Sequence, residues 1–148
     1  MTANITKISQ QLSECYQTGK RGPYPIFDAI DNFHDECSIK LISTFPEMIF
    51  TRNADMESVL CITARTDNYF ITEHILRLSK SSSNPFNPRD IDIINWSDSR
   101  GQTPLYIATT RGYMDLVDIL VYHDASPVKP GINFLILKTV ICALISRV

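Results

Sequence analysis

The residues of this sequence best suited to chemistry are a histidine and a cysteine three positions apart. His34 and Cys37 would share one face of a helix, with Asp35 and Glu36 between them. A pair of this kind can bind a metal or activate a thiolate for nucleophilic attack. One alternative is therefore a Cys/His-dependent hydrolase that uses Cys37 and His34, and the other is a structural role for both residues.

No second group of ligands or catalytic residues supports the chemical alternative. The four cysteines are separated by 22, 24 and 81 residues, which matches neither a CxxC pair nor a zinc ribbon. His74 and His123 stand far apart, and no acid/base couple can be assigned among the charged residues. The sequence also contains internal repeats, and their alignment places Cys37 on a core face. We therefore favour the structural role, and we expect no enzyme activity, no metal and no cofactor.

Composition places these residues in a globular protein. The chain has 148 residues, of which 44% are hydrophobic and 20% are charged, so it can bury the core of one domain or a short array of repeats. Fourteen basic and sixteen acidic residues give a formal charge of −2, without the basic excess expected of a nucleic-acid binder. No apolar run of signal-peptide length begins the sequence, so we expect reduced cysteines and a cytoplasmic location.

Apolar spacing and turn residues indicate where the helices lie. Residues 1–19 carry an apolar stripe at steps of three and four, which predicts an amphipathic N-terminal helix. Residues 79–92 are rich in serine, proline and asparagine, which predicts an insertion loop. Between 20 and 78 the pattern is of short helical segments. These features describe an α-rich chain interrupted by one loop.

The most informative stretch runs from residue 93 to residue 125. Thr103 is a good N-cap, and Pro104 suits the first position of a helix. Gly112 follows Pro104 by eight residues, where a two-turn helix must reverse and needs a positive φ. A second helix then carries a wide apolar face and ends before Pro127. Two short antiparallel helices joined at a glycine form a helical hairpin.

This stretch resembles one ankyrin repeat. Its turn signal, Thr-Pro-Leu helix start, small packing residue and mid-repeat glycine match the pattern of that family, whose period is about 33 residues. The residues that carry the resemblance are Asp98, Gly101, Thr103, Pro104, Leu105, Tyr106, Ala108, Gly112, Asp115, Leu116, Val117, Ile119 and Leu120. The sequence departs from the pattern at Tyr106, Thr109 and Asp124, where His, Ala and Gly are usual.

Two degenerate repeats precede the clear one. A repeat of this kind cannot bury its own apolar face, so it needs neighbours. Residues 22–29 align with 101–108, and residues 59–64 begin a middle repeat that has Ser58-Val59 and Asp67 in place of Thr-Pro and glycine. The resemblance therefore implies an all-α ankyrin-repeat helical solenoid of about three divergent repeats, with a capping helix at each end. Its predicted parts are an N-terminal helix at 1–19, repeat 1 at 20–52, repeat 2 at 53–78, the insertion loop at 79–92, repeat 3 at 93–127, and a C-terminal helix or degenerate repeat at 128–148.

The C-terminal stretch from 132 to 148 is strongly apolar on a single helical face. We expect it to cap the end of the stack. A membrane anchor is an alternative, although the run is shorter than the ~20 residues that a spanning helix needs and contains Asn133 and Lys138. A helix offered to a partner is the third alternative.

The function implied by the resemblance is binding of another protein, as an adaptor, an inhibitor or a host-directed effector in the cytosol of a host cell. Ankyrin proteins hold partners with their finger tips and with the exposed face of each first helix. The corresponding residues are Trp96, Ser97, Ser99, Arg100, Gln102, Thr110 and Arg111 in repeat 3, Asp55, Glu57, Arg65 and Thr66 in repeat 2, and Asp31 and Asn32 in repeat 1. Trp96, the only tryptophan, would either anchor a partner or pack against the neighbouring finger. Gly101, Thr103, Pro104, Leu105, Ala108, Gly112, Val117 and Leu120 are expected to be structural.

Overall fold

The computed structural model describes residues 24–80 and 92–127, together with the helical residues Lys138, Ile141, Cys142 and Ile145. Residues 24–80 and 92–127 form six α-helices and no β-strand, which confirms the predicted all-α fold. The helices are α1 (Pro25–Asp31), α2 (Asp35–Thr44), α3 (Val59–Arg65), α4 (Tyr69–Lys80), α5 (Pro104–Arg111) and α6 (Met114–Tyr122). Short 3-10 helices lie at Pro46–Phe50 and Ile93–Asn95.

Short polar side chains cap the first helices of the second and third pairs. The Thr103 hydroxyl accepts a hydrogen bond from the backbone N–H of Tyr106 at 3.2 Å, and Pro104 is the first residue of α5. Both features were predicted. The Ser58 hydroxyl accepts from the N–H of Cys61, also at 3.2 Å, so serine caps α3 without the Thr-Pro motif.

The turn inside each helix pair uses one residue with a left-handed backbone. Gly112 supplies it in the third pair with a φ of 75°. Asp67 and Phe33 supply it in the second and first pairs with φ values of 55° and 57°. Each of the three stands eight residues after the first residue of its helix. The helical hairpin therefore forms in all three pairs, although glycine is present in only one.

The three helix pairs stack side by side around one continuous apolar core. Helix α3 lies between α1 and α5, and α4 lies between α2 and α6, so first and second helices form two layers. Every residue of α3 from Val59 to Ala64 is buried. Leu105 and Leu120 are also buried, as expected for the repeat motif. The middle pair is thus packed on both sides.

One core prediction is wrong. Cys37 is exposed, although the repeat alignment placed it on the core face of α2. Ser38 takes the buried position, and its hydroxyl donates to the carbonyl of His34 at 2.9 Å. A small hydroxyl can be buried here because the helix itself satisfies its hydrogen bond. The buried residues of α2 are Ser38 and Ile42, so Ser38 takes the core position that was expected for Cys37.

Several predicted segments lie outside the described residues. They are the N-terminal helix at 1–19, residues 81–91 of the insertion loop, and the C-terminal segment apart from four residues. Helix α4 continues through Ser79 and Lys80, where the loop was expected to begin. Lys138, Ile141, Cys142 and Ile145 are helical and exposed. Among the helices described, none combines the length and the apolar character needed to cross a membrane.

Candidate partner-binding surface

A tight turn closed by Asn53 precedes α3. The Asn53 side-chain oxygen accepts hydrogen bonds from the backbone N–H groups of Asp55 and Glu57, at 3.0 and 2.9 Å. The Asn53 N–H in turn donates to the Glu57 carbonyl at 3.0 Å. Met56 completes the turn with a φ of 62°. We call residues 53–57 the second finger. Its backbone is fixed by local side-chain hydrogen bonds.

The third finger, residues 98–102, repeats this geometry 45 positions later. The Asp98 carboxylate accepts from the backbone N–H groups of Arg100 and Gln102, both at 2.9 Å. The Asp98 side chain is only 1% exposed, which reflects how completely the turn encloses it. Gly101, with a φ of 77°, stands where Met56 stands in the second finger. The Asp-x-x-Gly signal in the sequence thus encodes a finger.

The two fingers are joined to each other by one backbone hydrogen bond and by the side chain of Arg52. The Ser99 N–H donates to the carbonyl of Asp55 at 3.0 Å. The Arg52 guanidinium donates to the carbonyl of Ser97 at 2.9 Å and to that of Met56 at 3.3 Å. One side chain therefore ties the base of the second finger to the start of the third. Arg52 was not predicted, because the sequence shows only an isolated arginine there.

Trp96 packs between the fingers and the core. The Arg52 guanidinium lies 4.3 Å from the centroid of the Trp96 ring, a cation–π contact. The ring is half-buried against the core, and the Cys61 thiol donates to the Trp96 carbonyl at 3.5 Å. Burial raises the pKa of the Cys61 thiol, which keeps the S–H available as a donor. Of the two alternatives for Trp96, the structure therefore favours packing against the neighbouring finger.

Arg65 on α3 is engaged by two carboxylates. Its guanidinium lies 2.8 Å from a carboxylate oxygen of Asp31 and 3.4 Å from one of Glu57. Glu57 is buried, and its second oxygen accepts from the Asn53 side chain at 2.8 Å. The expectation that Glu57 faces a partner is therefore wrong, because its two carboxylate oxygens are bound within the chain, one to Arg65 and the other to Asn53. Arg65 is half-buried and links the first helix pair to the second.

The remaining predicted residues of the third repeat lie at two ends of α5. Ser99 and Arg100 are exposed at the finger tip, and Gln102 beside them is half-buried. Thr110 and Arg111 are exposed at the other end of the helix. A cleft of about 350 Å³ separates the two fingers and is lined by Asp55, Glu57, Asp98, Ser99 and Arg100.

His34 and Cys37 are both exposed, and the structure shows no hydrogen bond between their side chains. His34 contributes its carbonyl to α2, where it accepts from Ser38. Within the described part of the chain, no group of three or more His, Cys, Asp or Glu side chains is arranged to hold a metal ion.

Residues 100–130 match the family model of the ankyrin repeat. The match begins in the third finger and runs through α5 and α6, the part of the fold with the clearest capping and turn geometry. This part of the chain is an ankyrin repeat. The three helix pairs, stacked side by side with fingers at one edge, agree with an ankyrin-like helical solenoid.

The chain is similar to the ANK repeat-containing protein nipk-1 of Caenorhabditis elegans. The two are 28% identical over 127 residues. The match covers 84% of this chain and 20% of the relative, so the chain spans about a fifth of the length of that protein. Ankyrin repeats serve in general as protein–protein interaction modules and not as enzymes.

Proposed function

We propose that this chain binds a partner protein through the third finger and the exposed end of α5. The observation that carries the proposal is the joined pair of fingers. Asp98 closes the third finger from within, and Arg52 and the Ser99–Asp55 hydrogen bond hold it from outside. A surface that is already ordered loses little conformational entropy on association, so more of the contact energy contributes to affinity.

The chemistry of this surface favours a partner with carboxylates. Arg111 is exposed, and the structure shows no ion pair to it within the described ranges. Arg100 is exposed too, and its ion pair with Asp98 is long at 3.5 Å. Guanidinium groups form bidentate hydrogen bonds with carboxylates, and Ser99 and Thr110 add hydroxyls nearby.

Adaptor, inhibitor and host-directed effector are the roles that such a surface suits, and the identity of the partner decides among them. A cytoplasmic location belongs to the same proposal. It is supported by the free thiols of Cys37, Cys61 and Cys142.

The test compares three baits in affinity capture followed by mass spectrometry. They are the wild type, the double variant Arg100→Ala with Arg111→Ala, and the control Arg77→Ala, which removes an exposed arginine from α4. We expect the wild type and the control to recover the same partners and the double variant to recover at least tenfold less. All three should give the same circular dichroism spectrum, because both arginines of the binding surface are exposed.

Equal recovery by all three baits would show that the binding surface lies elsewhere. A folded wild type that recovers no partner would contradict the proposed function itself.

A further inference from the structure

A second surface lies at the end of the helices opposite to the fingers. The Asn68 side chain donates to the Asp35 carboxylate at 2.6 Å, so the turns of the first two helix pairs are neighbours. Helix α3 separates these two turns from the second finger, and its seven residues span about 10 Å. We call residues 31–36 and 66–70 the turn edge.

Large aromatic side chains are exposed along the turn edge. Phe33 is 65% exposed and Phe70 is 73% exposed. A hydrogen bond joins Asp35 and Asn68, and in the sequence Phe33 stands two residues before Asp35 and Phe70 two residues after Asn68. Burial among the residues that the structure describes therefore explains neither phenylalanine, because side chains this exposed gain little from the hydrophobic effect. Two such rings on adjacent turns form a candidate contact surface.

The backbone of Phe33 strengthens this inference. Its φ of 57° is a left-handed conformation, which is unfavourable for a bulky side chain. The equivalent residue of the third pair is Gly112, for which this conformation carries no steric cost. Phe33 thus contributes neither burial nor an easy turn to the stability of the chain. A strained residue that the fold does not need is a feature of binding surfaces.

The two segments that carry these aromatic residues are acidic. Residues 30–39 and 66–76 contain no lysine or arginine. The acidic residues in these two segments are Asp31, Asp35, Glu36, Asp67 and Glu73. Asp31 and Glu73 are paired with Arg65 and Arg77. The other three form no ion pair with the described residues. Carboxylates and aromatic faces both attract cationic groups.

We propose that the turn edge is a second docking surface, independent of the fingers, for a basic segment of a partner protein. The segment would place an apolar side chain against Phe33 and Phe70, and lysine or arginine side chains beside Asp35, Glu36 and Asp67. A second copy of this chain that met the turn edge with its own turn edge would set carboxylates against carboxylates. An anionic membrane surface would be repelled in the same way.

The probe is a phage-displayed library of random 12-residue peptides, selected against the immobilised chain. We expect the enriched peptides to combine lysine or arginine with aromatic or aliphatic residues. Fluorescence anisotropy on one enriched peptide should show binding that weakens when sodium chloride is raised from about 0.05 to 0.5 M. Phe33→Gly and Phe70→Ala should each weaken this binding at least tenfold.

Matched variants separate this proposal from loss of folding and from the finger surface. Phe33→Gly should melt no lower than the wild type, because glycine suits the left-handed backbone at this position. Arg100→Ala, which changes the third finger, should bind the selected peptide as the wild type does. Four outcomes would each overturn the proposal: enrichment of acidic or uncharged peptides, no enrichment at all, binding that both phenylalanine variants retain, or a wild-type dimer that Phe70→Ala dissociates in sedimentation.

Discussion

At the scale of single residues, left-handed backbone conformations shape the turns and fingers of the repeats. Gly112 and Gly101 meet this need in the third repeat, and Asp67 and Met56 meet it at the equivalent positions of the second. Aspartate tolerates this conformation better than most residues do, whereas methionine has no such advantage. The second repeat therefore keeps the hairpin and the finger without either glycine.

We predict that Gly112→Ala lowers the free energy of unfolding by about 1 kcal/mol. A Cβ atom at Gly112 would meet no atom within 4 Å, so the loss has to come from the left-handed backbone alone. The matched reverse change, Asp67→Gly, should leave stability unchanged or raise it. Equilibrium urea denaturation followed by circular dichroism measures both. An alanine variant as stable as the wild type would show that the turn relaxes to another conformation.

The sequence predicted the residues that close the third finger and cap α5, but it misplaced two side chains elsewhere in the repeats. Asp98, Gly101 and Thr103 act through backbone groups within four positions, so their roles follow from local spacing. Glu57 was misassigned because its carboxylate is held by Arg65, eight positions along the chain. Cys37 was misassigned because a buried serine can take a core position when its helix satisfies the hydroxyl. Both errors concern which side chain of a short segment is buried: Glu57 is buried where exposure was expected, and Ser38 is buried in place of Cys37.

At the scale of elements, the second and third fingers form from different sequences and then bond to each other. Their internal hydrogen bonds are local, but the Arg52–Ser97 contact joins residues 45 positions apart. Nothing in the local sequence around Arg52 indicates that partner. This is why the helices and turns could be predicted while the packing of Trp96 stayed open between two alternatives.

We predict that Arg52→Ala loosens the third finger and lowers the free energy of unfolding by about 1–2 kcal/mol, since it removes a cation–π contact and hydrogen bonds from a charged donor. Trp96 is the only tryptophan, so its fluorescence reports on this contact directly. Acrylamide should quench Trp96 more strongly in the variant than in the wild type. Arg52→Lys should resemble Arg52→Ala, because an ammonium group does not reproduce the guanidinium geometry that lets Arg52 bond to two carbonyls while it lies over the Trp96 ring.

The control for this experiment is Arg100→Ala, which removes an exposed arginine from the same finger and should leave the quenching unchanged. If Arg52→Ala and the wild type are quenched equally, the finger is held by its backbone hydrogen bonds without help from Arg52.

At the scale of the whole molecule, the described helices pack within each pair and against the helices of the neighbouring pair. In a stack of this kind, stability is approximately a sum of terms for each repeat and for each interface between neighbours. The middle pair contributes to both interfaces, because α3 packs against α1 and α5. Trp96 lies on the second interface, where the Cys61 thiol reaches its carbonyl. The fluorescence of Trp96 therefore reports on the second interface, whereas circular dichroism reports on all helices. The two signals together can resolve which helix pair unfolds first.

We predict that a cavity in the middle helix pair and a cavity in the first helix pair have different effects on urea unfolding. Leu60 on α3 and Ile30 on α1 are both fully buried, and each change to alanine should cost roughly 2–5 kcal/mol. In Leu60→Ala, the helical signal and Trp96 fluorescence should shift together to lower urea, because both interfaces weaken. In Ile30→Ala, part of the helical signal should be lost at lower urea than the Trp96 transition, since the second interface is intact. Coincident transitions in Ile30→Ala would show instead that the first pair cannot unfold without the rest of the stack.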